Sequence, residues 1–394
     1  MRVAALRVLV VLLSIALISG CGSMRKLFGK SKNAEPDEPA ALVAIETPLK
    51  IEQVWSQSLG KGEGNLWNRQ APAVAEGRVY ASDLKGRVSA FDAASGKSLW
   101  RVDTDLELSG GPGVGAGRVV LGSLEGDVIA LDADSGAEIW RAKVSSEVIA
   151  APLVSQGFAV VRSNDGRVFG FSLGDGKRSW VFDRGLPPLT VRGNATPVAA
   201  HDGVVVGYED GMVVTLRIAD GSPVWEQAVA NPDGRNELER LADVDGDIQV
   251  GLSEVFAQSV KGQVMAIDLA SGRPLWNRDL RGYTGLALSG DKVVATDTSG
   301  VLTALDRSTG AGMWRQDALI NRWITTPAAV AGAYVVVGDV EGYLHWFDAT
   351  TGNPVGRVHV AGDPIRATPQ VSADGVVYAV TTDGKLAAYR VAGP

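Results

Sequence analysis

AFDAASGKSLW (90–100), ALDADSGAEIW (130–140), AIDLASGRPLW (266–276) and ALDRSTGAGMW (304–314) are four spellings of one eleven-residue phrase. Each is a short alternating strand, a turn opened by Asp and closed by Gly, and a tryptophan. Looser copies stand at 170–180 (GFSLGDGKRSW), 215–225 (TLRIADGSPVW) and 346–356 (WFDATTGNPVG). The closing tryptophans fall at 100, 140, 180, 225, 276 and 314, with Gly356 in the seventh slot. A second marker, a proline opening each unit, stands at 72, 112, 152, 197, 327 and 369, and each of the first four precedes its tryptophan by 28 residues. Two markers in register define a repeat with the length of a propeller blade.

The chemistry inside one unit calls for four strands. In 71–102 these are APAV, GRVYASD, GRVSAFDA and SLWRV, with proline at a strand start and glycine in the hairpin turns. Segments such as RVVLG are apolar on both faces, as in a sheet covered on both sides. The tryptophan is then a wedge between neighbouring blades. Seven units are complete, and an eighth (367–391) stops before its outer strand. IEQVWSQSL (51–59) supplies the missing strand, with Trp55 in the tryptophan slot. The reading is therefore all-β: an eight-bladed β-propeller over 51–394, of four-stranded antiparallel blades, its ring closed by the N-terminal strand joining the C-terminal blade.

Composition agrees. The 394 residues include 48 glycines, and 45% are apolar, enough for a large core. A net charge of −7 and a pI near 5.2 argue against a nucleic-acid binder, which relies on neutralising phosphates. Residues 1–20 have the form of a signal peptide: Arg2 and Arg7, then an apolar stretch from Val8 to Ile18, too short to span a bilayer. The stretch ends Ile18-Ser19-Gly20-Cys21, and Cys21 is the only cysteine, so it has no disulfide partner within the chain. Residues 21–50 are mixed in charge with three prolines and read as a tether, spanning roughly 30 Å as a flexible coil.

ISGC resembles the bacterial lipobox, which implies lipidation of Cys21; Gly22, rather than Asp, implies sorting to the outer membrane. The A-x-D-x-x-[ST]-G-x-x-x-W phrase resembles the repeat of pyrroloquinoline-quinone (PQQ) dehydrogenases. It does not resemble WD40, whose Gly-His signature eight blades could not carry with three histidines. With LTVRGNATP (189–197), ELERLADVD (237–245) and VVGDVEGYLHWFD (336–348), essentially the whole chain is similar to the BamB family of outer-membrane β-barrel assembly lipoproteins. The resemblance implies a non-enzymatic scaffold without a cofactor. It would be lipid-anchored at the periplasmic face of the outer membrane and dock on the POTRA domains of BamA, and through it join the rest of the BAM complex. One departure is Val191, where the family tends to have leucine.

The alternatives are an enzyme and a ligand-binding propeller. A quinone dehydrogenase needs a calcium site, a carboxylate base and often a vicinal disulfide. The chain has no cysteine pair, and His201, His345 and His359 show no metal-ligand spacing. Asp243, Asp245, Asp247 and Glu254 match positions 1, 3, 5 and 12 of an EF-hand loop, but position 6 is Ile248 instead of glycine. A periplasmic propeller holding a ligand or peptide in its central funnel remains the second reading, and unfolded outer-membrane proteins could add as strands to a blade edge. For the docking surface, blades 3 and 4 draw attention, since Ser172 and Arg217 replace the turn Asp and the longest interval follows them. Relaxed turns and extra length suit functional loops. Leu189, Val191, Arg192, Asp243 and Asp245 are expected to form one partner-binding patch, in which Arg192 could also brace the loop by pairing with Asp243 or Asp245.

Overall fold

Eight sheets of four antiparallel strands stand in a ring, and no helix occurs among the described residues. The computed structural model describes residues 39 and 41–392 apart from 65, 67, 191–194, 281, 283, 298, 324 and 325. The signal peptide, Cys21 and most of the tether lie outside the described residues. Blade 1 comprises β2 (Ala73–Ala75), β3 (Arg78–Ser82), β4 (Arg87–Asp92) and β5 (Ser98–Asp103), from axis to periphery. Blades 2 to 7 follow the same order over 113–143, 153–182, 198–228, 249–279, 286–316 and 329–359.

Blade 8 closes the ring as expected. Its strands are β30 (Gln370–Val371), β31 (Val377–Val380) and β32 (Lys385–Val391), completed by β1 (Ile51–Ser58). β1 pairs with β32 from Ile51 opposite Val391 to Ser58 opposite Lys385. The compact unit begins at Leu42 rather than at residue 51. The end of the expected tether is engaged: the Leu49 N–H donates to the Val355 carbonyl (2.7 Å), and the Arg357 guanidinium to that of Val43 (3.2 Å).

The core lies in the seams. Eight apolar clusters each join two neighbouring blades, and the two middle strands of each blade are buried on both faces. The tryptophans make the seam directional. The indole N–H of Trp55, Trp100, Trp140, Trp180, Trp225, Trp276 and Trp314 donates to a carbonyl of the next blade: Ala93, Ala133, Leu173, Ile218, Leu269, Arg307 and Ala349, at 2.8–3.1 Å. Each acceptor directly follows the turn-opening position of its blade. The eleven-residue phrase is thus one lock: the tryptophan of one blade caps the turn of the next.

This explains Gly356. Blade 8 is built from the two chain ends, so no turn joins β32 to β1 and a seventh-blade tryptophan would have nothing to cap. Leu49 and Ile51 fill the space, and a Cβ on residue 356 would come within 2.6 Å of Ile51 Cδ1. The turn glycine is doubly required for the same reason. Gly136 has φ +74°, and a Cβ there would meet Trp100 at 2.7 Å, whereas Gly117 (φ +72°) faces open space. Gly117→Ala should cost about 1–2 kcal/mol for the left-handed backbone alone. Gly136→Ala should cost about 1–3 kcal/mol more for overpacking the seam. Parallel denaturant titrations check this, and equal costs would contradict the lock.

Every blade also carries a β-bulge in its outer strand. The unpaired residue always precedes the tryptophan slot: Val54, Leu99, Ile139, Ser179, Val224, Leu275, Met313 and Val355. Two residues opposite one re-aim the tryptophan into the seam and break the regular row of edge N–H and C=O groups. A strand adding to any outer edge would meet this bulge.

The expectation of relaxed turns in blades 3 and 4 does not hold. The Gly176 N–H still bonds the Ser172 carbonyl and the Gly221 N–H that of Arg217, at 2.9 Å, as in the other blades. The carboxylate has moved three residues along, to Asp175 and Asp220, and still accepts backbone N–H groups.

Candidate docking surface on the propeller rim

Strand order puts the connections between blades on one rim, with the hairpins that join the two middle strands. The longest connections, 183–197 and 229–248, flank blade 4. The first carries Pro187 and Pro188, whose rings restrict the backbone, and presents Leu189 half-exposed. The second folds on itself: Asn236 Oδ1 accepts the Glu239 N–H (3.0 Å), Glu239 accepts the Arg235 N–H (2.7 Å), and Arg240 pairs with Glu237 (3.0 Å). Lys261 of blade 5 donates to the Asn231 carbonyl (2.8 Å) and pairs with Asp233. Between the two loops runs an open groove of about 450 Å³, lined by Pro187, Pro188 and Leu189 on one side and Pro232, Glu237 and Arg240 on the other. Leu238, at 73% exposure, stands at the loop tip.

The structure therefore brings Leu189 to the ELER stretch. Val191 and Arg192 lie outside the described residues. Asp243 and Asp245 correct the expectation of a single surface patch, because both are buried. Ala242 and Val244 are apolar and fully enclosed, and the backbone is pinned from both sides. The Val244 N–H donates to the Tyr208 carbonyl of blade 4, and the Val260 N–H of blade 5 to the Asp243 carbonyl, both at 3.0 Å; the Ser259 hydroxyl bonds the Ala242 carbonyl at 2.6 Å. The Ala-Asp-Val-Asp alternation was the sequence signal of this buried brace. The exposed charge at the rim comes instead from Asp233, Glu237 and Arg240.

Beneath the rim is an ionic layer. Arg162 of blade 3 pairs with Glu209 of blade 4 at 2.6 Å, both buried, and the guanidiniums of Arg162 and Arg184 lie over the Tyr208 ring at 5.0 and 5.4 Å. Arg184 is held by Asp210 (2.7 Å) and Glu226 (2.9 Å). Burial raises the Tyr208 phenol, and it pushes the Asp245 carboxyl well above the usual range despite the opposing field of Arg162. A second buried cluster occupies the VVGDVEGYLHWFD stretch of blade 7. Asp339 accepts Arg322 Nε (3.0 Å) and Nη2 (2.9 Å) and lies 2.9 Å from His345 Nε2. Burial depresses the His345 imidazole, with Asp339 opposing.

The EF-hand spacing does not assemble. Glu254 pairs with Arg307 at 3.0 Å, Asp247 accepts the Thr368 hydroxyl at 2.6 Å, and no group of three or more His, Cys, Asp or Glu able to hold a metal occurs among the described residues. The histidines do not converge: His345 is committed to Asp339, and His359 lies tilted against Tyr343 with ring centres 4.5 Å apart.

Fold and site thus define a class: an eight-bladed propeller of PQQ-like repeats whose most elaborated feature is a rim surface. The family model described as outer membrane protein assembly factor BamB matches residues 37–105, 84–316 and 301–392. The chain is 44% identical to the outer membrane protein assembly factor BamB of Xanthomonas campestris, over 98% of both chains. The crystal structure of BamB from Moraxella catarrhalis superposes with a TM-score of 0.79 at 28% identity, covering 86% of this chain and all of that one. The chain belongs to the BamB family of outer-membrane protein assembly factors. A quinohemoprotein alcohol dehydrogenase from Comamonas testosteroni also superposes, with a TM-score of 0.69 at 14% identity over 87% of this chain and 77% of that one, a likeness of fold alone.

Proposed function

We propose that this chain is a non-enzymatic scaffold of the outer-membrane β-barrel assembly machinery, docking through its rim groove on the periplasmic POTRA domains of the BamA-type barrel subunit. The observation that carries this reading is the juxtaposition of Leu189 with the 232–240 loop. An exposed apolar anchor beside charged Asp233, Glu237 and Arg240 has the anchor-and-polar-rim composition of a docking surface. Val191 and Arg192 belong to the same stretch and are assigned to it. Asp243, being buried and held through its backbone, acts as a support that keeps the second loop against blades 4 and 5, and Asp245 is buried beside it. Through the barrel subunit the chain would join the other assembly components and serve unfolded outer-membrane proteins. Purification of the tagged chain from detergent extracts tests this: an integral barrel protein should co-purify in stoichiometric amount, and recovery as a lone monomer would refute the scaffold reading.

Cys21 is proposed as the lipid anchor that holds the body at the periplasmic face of the outer membrane. Each buried CH₂ contributes about 0.8 kcal/mol, so several acyl chains anchor far more firmly than one. Cys21→Ser should abolish acylation and move the protein from the membrane to the soluble fraction in cells lacking the barrel partner, with an unchanged melting temperature. Retention on membranes after a high-salt wash would contradict the anchor.

A further inference from the structure

The propeller axis holds a cavity of about 760 Å³ that shares no lining residue with the rim groove and is unused by the docking reading. Its walls are the innermost strands of blades 1, 2, 4, 5 and 8 with the segment leading into blade 3, and they are mostly small and apolar: Ala73, Val114, Ala150 and Val198 are representative. Besides Thr196, Gln249 and Gln370 along the walls, polar groups converge from three segments. Asp245 and Asp247 come from the segment leading into blade 5, Thr368 from the segment leading into blade 8, and Asn68 and Arg69 from the loop between β1 and blade 1. That loop is fixed, since the Glu63 carboxylate accepts the Gln70 N–H (3.2 Å) and faces Arg366 (3.7 Å).

Two of these side chains are unexplained by the fold. Asp245 is 7% exposed and Asn68 4%, and neither Asp245 oxygen nor either Asn68 amide atom has a hydrogen-bond partner. Buried polar atoms without partners cost free energy that a ligand can recover. The charge balance gives its sign. The charged groups whose fields act on Asp245 are Arg162, Glu209, Asp243 and Arg69, while Asp247 feels Arg69 and accepts the Thr368 hydroxyl. With Asp245 and Asp247 included, four carboxylates stand against two guanidiniums. Burial raises both aspartates, as expected of carboxylates with too little positive charge nearby.

We propose that the axial cavity binds a small organic ammonium ion, with its alkyl body against the apolar walls and its cationic head on the carboxylates of Asp245 and Asp247. Asn68 and Thr368 lie beside the head as additional hydrogen-bonding groups. A buried carboxylate is neutralised by a proton in the empty cavity and by the ammonium in the filled one, so binding releases protons. Affinity therefore rises with pH through the range in which the two aspartates lose their protons, while a primary alkylammonium keeps its own charge.

Calorimetric titration of the full chain with hexylammonium, hexan-1-ol and hexanoate tests this. Hexylammonium should bind at least tenfold more tightly than either other probe at pH 8. Its affinity should fall at least tenfold at pH 5 and in Asp245→Asn. That substitution replaces an unpartnered buried carboxylate by its neutral isostere, so the variant should melt no lower than the parent. If it fails to fold, Asp247→Asn is read in the same way. Hexanoate binding as tightly as hexylammonium, an affinity indifferent to both substitutions, or no heat with any probe would each overturn the proposal. Leu189→Ala should leave hexylammonium binding unchanged, which separates the axial site from the docking surface.

Discussion

Removal of residues 51–58 is expected to make the protein insoluble or to lower its melting temperature by at least about 10 °C, since the lost core contacts alone cost several kcal/mol. The deletion strips β32 of its partner along the register from Ile51–Val391 to Ser58–Lys385 and leaves a paired edge open. It also removes Trp55, which is buried against Phe91 and Tyr378 and donates to the Ala93 carbonyl of blade 1. Truncating one such aromatic costs about 3–5 kcal/mol. Two seams fail together, because Ile51 packs on blade 7 over Gly356 while Trp55 packs on blade 1. Deletion of 22–41, outside the compact unit, should leave the melting temperature unchanged. Equal stability of the two truncations would contradict ring closure by β1.

Changes at the rim should separate binding from stability. Leu189→Ala combined with Val191→Ala, or Arg192→Glu alone, is expected to weaken POTRA binding by about 30-fold or more, equivalent to about 2 kcal/mol. Leu238→Ala should weaken it in the same direction, because Leu238 stands exposed at the tip of the facing loop. Leu189 and Leu238 contribute little to the core, so their alanine variants should melt within about 1 °C of the parent. Asp243→Ala should behave differently and lower the melting temperature, because it leaves a gap in the buried layer between blades 4 and 5. Surface-plasmon measurements with purified POTRA domains, paired with thermal melts, distinguish the two patterns. Unaltered affinity in the Leu189 and Arg192 variants would move the interface elsewhere.

What the sequence made legible follows from how local each feature is. The blade repeat could be read because one turn is written seven times, six of them closing on a tryptophan, each within eleven residues. Ring closure could be read by counting, since the strand missing from the C-terminal unit stood at residues 51–59. The tryptophan-to-carbonyl bond could not, although it is the reason for the repeat, because donor and acceptor lie about a blade apart in sequence. Position 356 departs from the tryptophan pattern because blade 8 takes its outer strand from 51–58, so Leu49 and Ile51 fill the space a tryptophan would occupy. The carboxylates of Asp243 and Asp245 were read as surface charge because acidic residues in a long connection usually face water. The Ala242 and Val244 alternation marks one enclosed face, but the burial of the aspartates themselves depends on long-range contacts with Tyr208 and Ser259. The axial cavity was invisible for the same reason, since it draws its polar groups from segments around residues 68, 245 and 368.

The docking claim is tested most directly by photo-crosslinking in living cells. A photoreactive phenylalanine analogue is placed at Leu189 on the groove, at Leu275 on the outer belt, and at Lys97 in a turn on the opposite rim. A strong crosslink to the barrel subunit is expected from position 189, and none above background from positions 275 and 97. A crosslink from position 97 or 275 with none from 189 would contradict the docking claim.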